Sequence, residues 1–336
     1  MSFLTGLILV DAPASALNNA ETDSNGREFP LTNTKHIRTK EGIFPYVSAQ
    51  AFRYWLRCSL EKAENILFSP IEKEKNSVAY TSANPIEYFD DDILGYMRAK
   101  TGGGSTLTRI SPFRTSTFIA LDPISRLTED LGTMSRHNDN PVPFKHQLYR
   151  TTLKGLVSLD LYSSGRFWAT ERTGFKNLDE ERIKIAKELG LEEGQKGNAT
   201  FYKLSNKERI NRINALLKGI ANLEGGAKQT LHYTDVNPAF IIMAVTKGGN
   251  NIFNRTIQPD SKGLPVFNKE VMDEVLSVYK EEILSPIYIG LPKGYIDSQK
   301  PIIESCFWKD GIILKHPKEI MADIVEYLNS KPELLD

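Results

Sequence analysis

An α+β fold of order βαββαβ is what this sequence predicts, and three observations predict it. Four short apolar runs, Phe3–Asp11, Arg114–Asp122, Thr151–Tyr162 and Pro238–Thr246, have the length of strands and are bounded by turn residues. Two segments between them, one from Ser48 and one from Ser205, repeat apolar residues at helical spacing. In chain order these elements read strand, helix, strand, strand, helix, strand, the ferredoxin-like arrangement.

Taken singly, each element has a local cause. Phe3–Asp11 ends at Ala12-Pro13 and passes into a polar, Asn-rich loop reaching about Pro45. Ser48 is a good N-cap for a helix on which Phe52, Trp55, Leu56, Leu60 and Ala63 share one face and Gln50, Arg53 and Arg57 another. Residues Ile66–Thr108 form a mixed, partly acidic insertion, with a helix predicted over Pro85–Ala99 and a turn at Gly102, Gly103 and Gly104. The stretch Pro123–Tyr149 shows no period, is too long for a tight hairpin and is expected to project as a loop. In Thr151–Tyr162, Val157, Leu159 and Leu161 alternate with Ser158, Asp160 and Tyr162.

A short helix is predicted over Asp179–Leu189. The clearest one follows the capping box Ser205-x-x-Glu208, with Ile210, Ile213, Leu216, Leu217, Ile220 and Leu223 along it and Gly225-Gly226 to stop it. Beyond the fourth strand, a helix over Lys269–Leu284, a strand near Ile287 and a helix over Pro317–Asn329 are expected to pack on the core.

Composition bounds the function. The chain has 336 residues, 40% apolar and 25% charged, as ordinary soluble proteins do, which suits one large domain with insertions or two small ones. Its apolar start lacks a basic flank and contains Asp11, so it reads as a strand rather than a signal peptide. The best remaining apolar run, Phe240–Val245, is far too short to cross a bilayer, and a cytoplasmic protein is expected. Cys58 and Cys306 have no CxxC partners, which argues against a disulfide framework or a zinc site, and no cofactor is expected. Net charge is zero but segregated: six Lys/Arg against two Glu between Arg27 and Arg57, then eight Asp/Glu against three Lys between Glu61 and Gly95. A basic surface apart from an acidic one suits a subunit that touches phosphate on one side and its own copy on the other; an uneven, inert surface fits the same counts.

RNA-recognition domains share the ferredoxin-like fold, but the strand that carries their stacking aromatics reads KGLVSLDLY here. Any RNA contact is therefore expected from loops, helix ends and insertions. SAQAFRYWLR at 48–57, following APASALNN at 12–19, resembles the opening of the Cascade backbone family of CRISPR-associated proteins, and GGAKQTLHYTDVNPAFIIMAV at 225–245 resembles that family's second signature. Within the family the resemblance is to the DevR-like branch of type I-B systems.

The resemblance implies a non-catalytic, hand-shaped subunit, RRM-like in its palm, with several copies aligned along one CRISPR RNA. Residues 1–63, 113–122 and 150–250 would form the palm, with an insertion at about 163–204; 64–112 would be helical fingers, 123–149 a protruding thumb, and 251–336 elements packed on the palm. Partners implied are CRISPR RNA, target DNA through guide pairing, further copies of the chain, other Cascade subunits, and a nuclease or transposition effector downstream, with no membrane. Guide pairing would read the sequence, leaving the protein to hold the backbone.

Such a holder needs phosphate and ribose donors on rigid elements. The helix from Ser48 offers a positive N-terminal end, Gln50, Arg53 and Arg57. Lys35 and Arg38 in the preceding loop are further candidates that also fit ordinary surface charge. Gly225 and Gly226 allow close backbone approach beside Lys228 and Gln229, a small phosphate-binding loop, although a helix C-cap with a solubilising lysine has the same residues. Asn18 and Asn19 match the family's loop and also suit a turn. In the thumb, Met134 and Phe144 would wedge against bases with Arg136, His137, Lys145 and His146 near phosphate, or simply pin the loop.

The rival expectation is a ribonuclease. The five histidines show no metal spacing, and His36 with Asp23 is the one pair near the RNA-facing helix. A third reading is a stand-alone RNA-binding regulator. Gly102–Gly104 lacks the GxxxxGK[ST] pattern, so nucleotide hydrolysis is not expected.

Overall fold

The computed structural model describes residues 1–23, 29–62, 66–73, 79–99, 106–134, 142–170 and 176–336. Strand β1 (Ser2–Ser15) lies inside the largest sheet, with a partner on each edge. Its side chains alternate between faces: Leu4, Ile8, Val10 and Ala12 enter one buried cluster, Leu7 and Leu9 another. A strand covered on both faces has to be apolar at nearly every position, which explains the unbroken run in the sequence.

On one edge β1 pairs antiparallel with β3 (Val142–Asp160), placing Leu4 opposite Leu159 and Leu9 opposite Lys154. On the other it pairs antiparallel with β4 (Phe240–Lys247), placing Leu4 opposite Val245 and Leu9 opposite Phe240. The far edge of β3 takes β2 (Phe118–Ala120), again antiparallel. The order β4-β1-β3-β2 continues past β4 into β5 (Ile287–Gly290) and β6 (Ile312–Lys315), and past β2 into the strands Ile43–Val47 and His36–Arg38.

Helix α1 (Ala49–Glu61) starts where Ser48 Oγ accepts the Ala51 amide at 3.3 Å, and buries Phe52, Trp55, Leu56 and Leu60. Both bonds of the capping box at Ser205 are present at the start of α2 (Asn206–Ala221). These two helices cover one sheet face with α4 (Pro317–Ser330). The other face is closed by α3 (Lys269–Val278) together with Phe253, Phe267, Ile303 and Trp308. No open sheet surface is left over β1 and β4 on which bases could stack.

Several expectations are corrected. The polar stretch before Pro45 is not a loop: it holds the strands Asn19–Asp23, Leu31–Thr34, His36–Arg38 and Ile43–Val47, whose few buried side chains produce no period. Pro123–Tyr149 is not a loop either. The strand Thr128–Met134 pairs with the first part of β3, from Thr128 opposite Leu148 to Met134 opposite Val142, so the segment expected as a thumb loop holds paired antiparallel strands. Its polar residues pack on other polar segments rather than on the core, which hides the alternation. The segment Arg114–Asp122 is split into Phe113–Thr115 and β2, with the Ser116 hydroxyl accepting the Leu156 amide at 2.9 Å. Helix α2 ends at Ala221 with Asn222 as its cap, before the glycines, and the helix expected over Lys269–Leu284 stops at Val278.

The helix expected over Pro85–Ala99 is only Phe89–Ile93, because its acids turn inward. Asp90 Oδ1 accepts from Ser69 N at 2.9 Å and Asp91 Oδ2 from Asn84 N at 2.8 Å. Asp92 is fully buried and takes Arg109 Nη2, Arg212 Nη1 at 2.7 Å and the Gly165 amide at 3.0 Å. Asp90, Asp91 and Asp92 thus face inward, whereas Glu61, Glu72 and Glu87 remain exposed. Gly95, at φ +72°, then turns the chain into the strand Tyr96–Arg98, which pairs with Leu107–Arg109.

Asp92 joins the insertion, α2 and the end of β3 through one carboxylate, so Asp92→Ala leaves two guanidiniums without their buried partner. Loss of about 3–5 kcal/mol is expected, read as a lower urea midpoint at an unchanged slope.

Candidate nucleic-acid interface

Past the end of β1, four segments cross, and mostly backbone hydrogen bonds tie them. Ala227 N donates to Leu17 O at 2.9 Å, Lys35 N to Asn18 O at 2.8 Å and Tyr46 N to Lys35 O at 3.1 Å. Asn18 Nδ2 donates to Tyr46 O at 3.2 Å, and the Ser15 and Thr234 hydroxyls lie 2.7 Å apart. Because Tyr46 stands two residues before Ser48, the crossing leads directly into the first turn of α1.

Gly225 and Gly226 hold positive φ angles of 152° and 102°. A Cβ on Gly225 would stand 2.4 Å from Trp55 Cγ, and one on Gly226 2.5 Å from Leu17 Cδ2. The two glycines therefore let this turn lie flat on α1 and on the end of β1. Lys228 follows in the left-handed region at φ +57°, and its carbonyl accepts from Leu231 N at 2.9 Å and His232 N at 2.8 Å. Gln229 spans the turn, donating to Gly225 O and accepting from Thr234 N at 3.0 Å.

The expected residues around the crossing take different places. Asn18 is buried and braces the crossing, and Asn19 is half-buried opposite Thr34. Ser48 caps α1, and Gln50 is exposed on its first turn. Lys35 is half-buried, while Arg38 is exposed with its Nε donating to His36 Nε2 at 3.1 Å. His36 Nδ1 lies 2.9 Å from Thr34 O, and Asp23 sits in the strand Asn19–Asp23 opposite Leu31.

Arg53 and Arg57 do not join this group. Arg53 donates to Leu94 O at 3.2 Å, Ser111 Oγ at 3.0 Å and Phe113 O, with its guanidinium 5.8 Å from the Phe113 ring centre. Burial, and then Arg57, lower its pKa from the ordinary value. Arg57 is half-buried and acts electrostatically on Asp90. A helical wheel puts Gln50, Arg53 and Arg57 on one face but contains nothing about the insertion that covers two of them.

The hairpin of Thr128–Met134 with β3 is fastened to the crossing at its base. Thr34 N donates to Gln147 Oε1 at 3.1 Å and Lys145 N to Pro30 O at 2.9 Å. Phe144 stacks on His146 with ring centres 5.8 Å apart, and Lys228 Nζ lies 6.0 Å from the Phe144 ring centre. His146 is buried, and its Nε2 faces His232 Nε2 at 2.5 Å. Burial, and then His232 and Lys228, push the His146 pKa below the ordinary imidazole value, against the raising effect of Asp130. His232 carried no expected role, since its partner is 86 residues away in the chain. Arg136, His137 and Gly102–Gly104 lie outside the described residues, as does the side chain of Met134.

What the described geometry offers is Lys35, Arg38, Gln50, Lys145 and Lys228, carried by strand ends, the first turn of α1 and the Lys228 turn, beside a β-hairpin. Residues 9–263 match the model of a family described as CRISPR-associated negative auto-regulator DevR/Csa2. The chain belongs to the DevR/Csa2 family. The matched span of this DevR/Csa2 chain contains the crossing, α1, the thumb hairpin and the Gly225–Thr234 turn. A solved chain described as "CRISPR RNA-guided surveillance complex, pre-nicking" superposes with a TM-score of 0.57 at 10% identity, covering 97% of this chain and 99% of that one. A second, described as "CRISPR RNA-guided surveillance complex", gives a TM-score of 0.50 at 8% identity with the same coverages. Likeness at these identities speaks to the fold alone. No curated protein sequence matches. No helix among the described residues is long and apolar enough to cross a membrane.

Replacing Gly225 by alanine drives a methyl into Trp55 at a φ that L residues rarely adopt. We expect a loss of about 1–3 kcal/mol, read as a lower melting midpoint, with α1 and the turn separating first in hydrogen exchange.

Proposed function

We propose that this chain is a subunit of a CRISPR RNA-guided surveillance complex, holding guide RNA by phosphate and ribose without cleaving it, with several copies along one RNA. Membership of the DevR/Csa2 family over residues 9–263 is the observation that carries this reading. The antiparallel order β4-β1-β3-β2 supports a ferredoxin-like palm, and the Thr128–Met134/β3 hairpin supports a thumb over 123–149, with fingers over 64–112.

Lys35, Arg38, Gln50, Lys145 and Lys228 would meet the RNA. Asn18, Asn19, Ser48, Gly226 and Gln229 would shape the surface beneath it, and Phe144 would carry the apolar contact at the thumb base. Arg53 and Arg57 would act one step removed, by holding the fingers to α1. Cations on turns neutralise phosphate without reading base edges, leaving bases free for target DNA. His36 has both ring nitrogens engaged, at Thr34 O and Arg38 Nε, which speaks against a general base there. The description "negative auto-regulator" favours a second reading, a stand-alone regulator that binds RNA as a single copy.

Size-exclusion chromatography with mass detection separates the two. On repeat-spacer RNAs of increasing length, the complex mass is expected to grow with RNA length; one copy at every length supports the regulator, and no binding refutes both. In a second measurement, Lys35→Ala with Lys228→Ala is expected to weaken single-stranded RNA binding alike for all sequences. The slope of log affinity against log salt should fall by about 0.7 per cation removed.

A further inference from the structure

Asp130 and His146 are direct cross-strand partners in the thumb hairpin, with the Asp130 Oδ2 to His146 Nε2 distance 3.5 Å. His232 approaches from the left-handed turn at Lys228, bringing its Nε2 to 2.5 Å from the same His146 nitrogen. One ligand atom from each residue thus falls within 4.8 Å of the other two. Two strands of one hairpin and a turn 86 residues beyond His146 thus bring one possible ligand atom each into the same small space.

A simple hydrogen bond between the imidazoles accounts for this poorly. His146 is 3% exposed, and its Nδ1 has no hydrogen-bond partner among the described residues. If Nε2 carried the proton toward His232, Nδ1 would be a buried bare acceptor. If Nδ1 carried it, that proton would lack an acceptor among the described residues, and Nε2 would present its lone pair toward His232. That second tautomer is the one that ligates a metal, and a carboxylate stands beside it.

We propose that Asp130, His146 and His232 form a site for a divalent transition-metal ion of the zinc class, which clasps the thumb hairpin to the Lys228–Thr234 turn. Two imidazoles and one carboxylate are a donor set for such ions, whereas calcium and magnesium prefer all-oxygen sites. Zinc–nitrogen bonds of about 2.0–2.1 Å in tetrahedral geometry set neighbouring donor atoms about 3.3 Å apart. Ion entry therefore spreads the two rings by about 1 Å, a shift that His232, half-buried on a turn, can take up. The Asp130 side chain is 54% exposed, so the remaining coordination position opens to solvent and is filled by water. The clasp stands whether or not the chain binds RNA.

The test uses the untagged full chain, loaded with zinc chloride, desalted and assayed for bound metal by mass spectrometry, beside Asp130→Asn and His232→Ala variants checked by circular dichroism. About one zinc per wild-type chain is expected, with at least a tenfold loss of affinity in each variant. Replacing zinc by cobalt should give visible bands of four-coordinate geometry in wild type that weaken in Asp130→Asn, an exposed substitution that leaves the fold intact. Wild type without stoichiometric metal, or variants holding as much as wild type, would overturn the site. Should His232→Ala fail to fold, Asp130→Asn and the cobalt spectrum decide alone, and octahedral bands or an unchanged spectrum would count against it.

Discussion

The two-sided pairing of β1 is the constraint on which the other elements depend. Its register runs from Ser2 to Leu9 on the β4 side and from Phe3 onward on the β3 side, so Phe3 to Leu9 are paired on both edges. A slip of one residue would exchange Leu4, Ile8 and Val10 with Leu7 and Leu9 between two fully buried faces, one packed by helices and one by the C-terminal elements. That penalty sets where β1 ends, and its end sets the crossing at Leu17 and Asn18. The interface is thus positioned by a buried strand that contributes none of its own side chains to the proposed RNA contacts.

Charge is distributed by the same logic. The zero net charge conceals two different uses of arginine and lysine. Arg53, Arg109, Arg182, Arg209 and Arg212 are spent inside, on carbonyls and carboxylates of segments distant in the chain. Planar guanidinium with several donors suits that work. The cations around the crossing are mostly lysines, Lys35 between two strands, Lys145 on β3 and Lys228 on its turn, whose compact charge suits a phosphate backbone. Three of the acids, Asp90, Asp91 and Asp92, are buried beside Arg57, Arg109 and Arg212 rather than displayed at the surface.

The proposed metal clasp and the thumb belong together mechanically. An isolated two-stranded arm is marginal in water, and this one is held at its base by Gln147, by the Pro30 carbonyl and by the His146–His232 contact. Strengthening the third of these ties would stiffen the arm relative to the palm without touching the cations nearby.

What the sequence determined by itself was the set of elements that bury an apolar face: β1, α1 with its Ser48 cap, α2 with its capping box, and β4, each marked by a local period or cap. It also carried the two signatures, since glycines at Gly225 and Gly226 and the SAQAFRYWLR helix are short-range patterns. Tertiary structure alone decided what polar residues do. Arg53 was taken up by the Leu94–Phe113 segment, Gln229 by its own turn, and Thr128–Met134 and Val142–Tyr149 became paired strands with other polar strands beside them. His146 met His232 across 86 residues. Apolar burial follows a period that neighbours along the chain reveal, whereas a polar group is satisfied by whichever partner the fold delivers, and no local pattern records that partner.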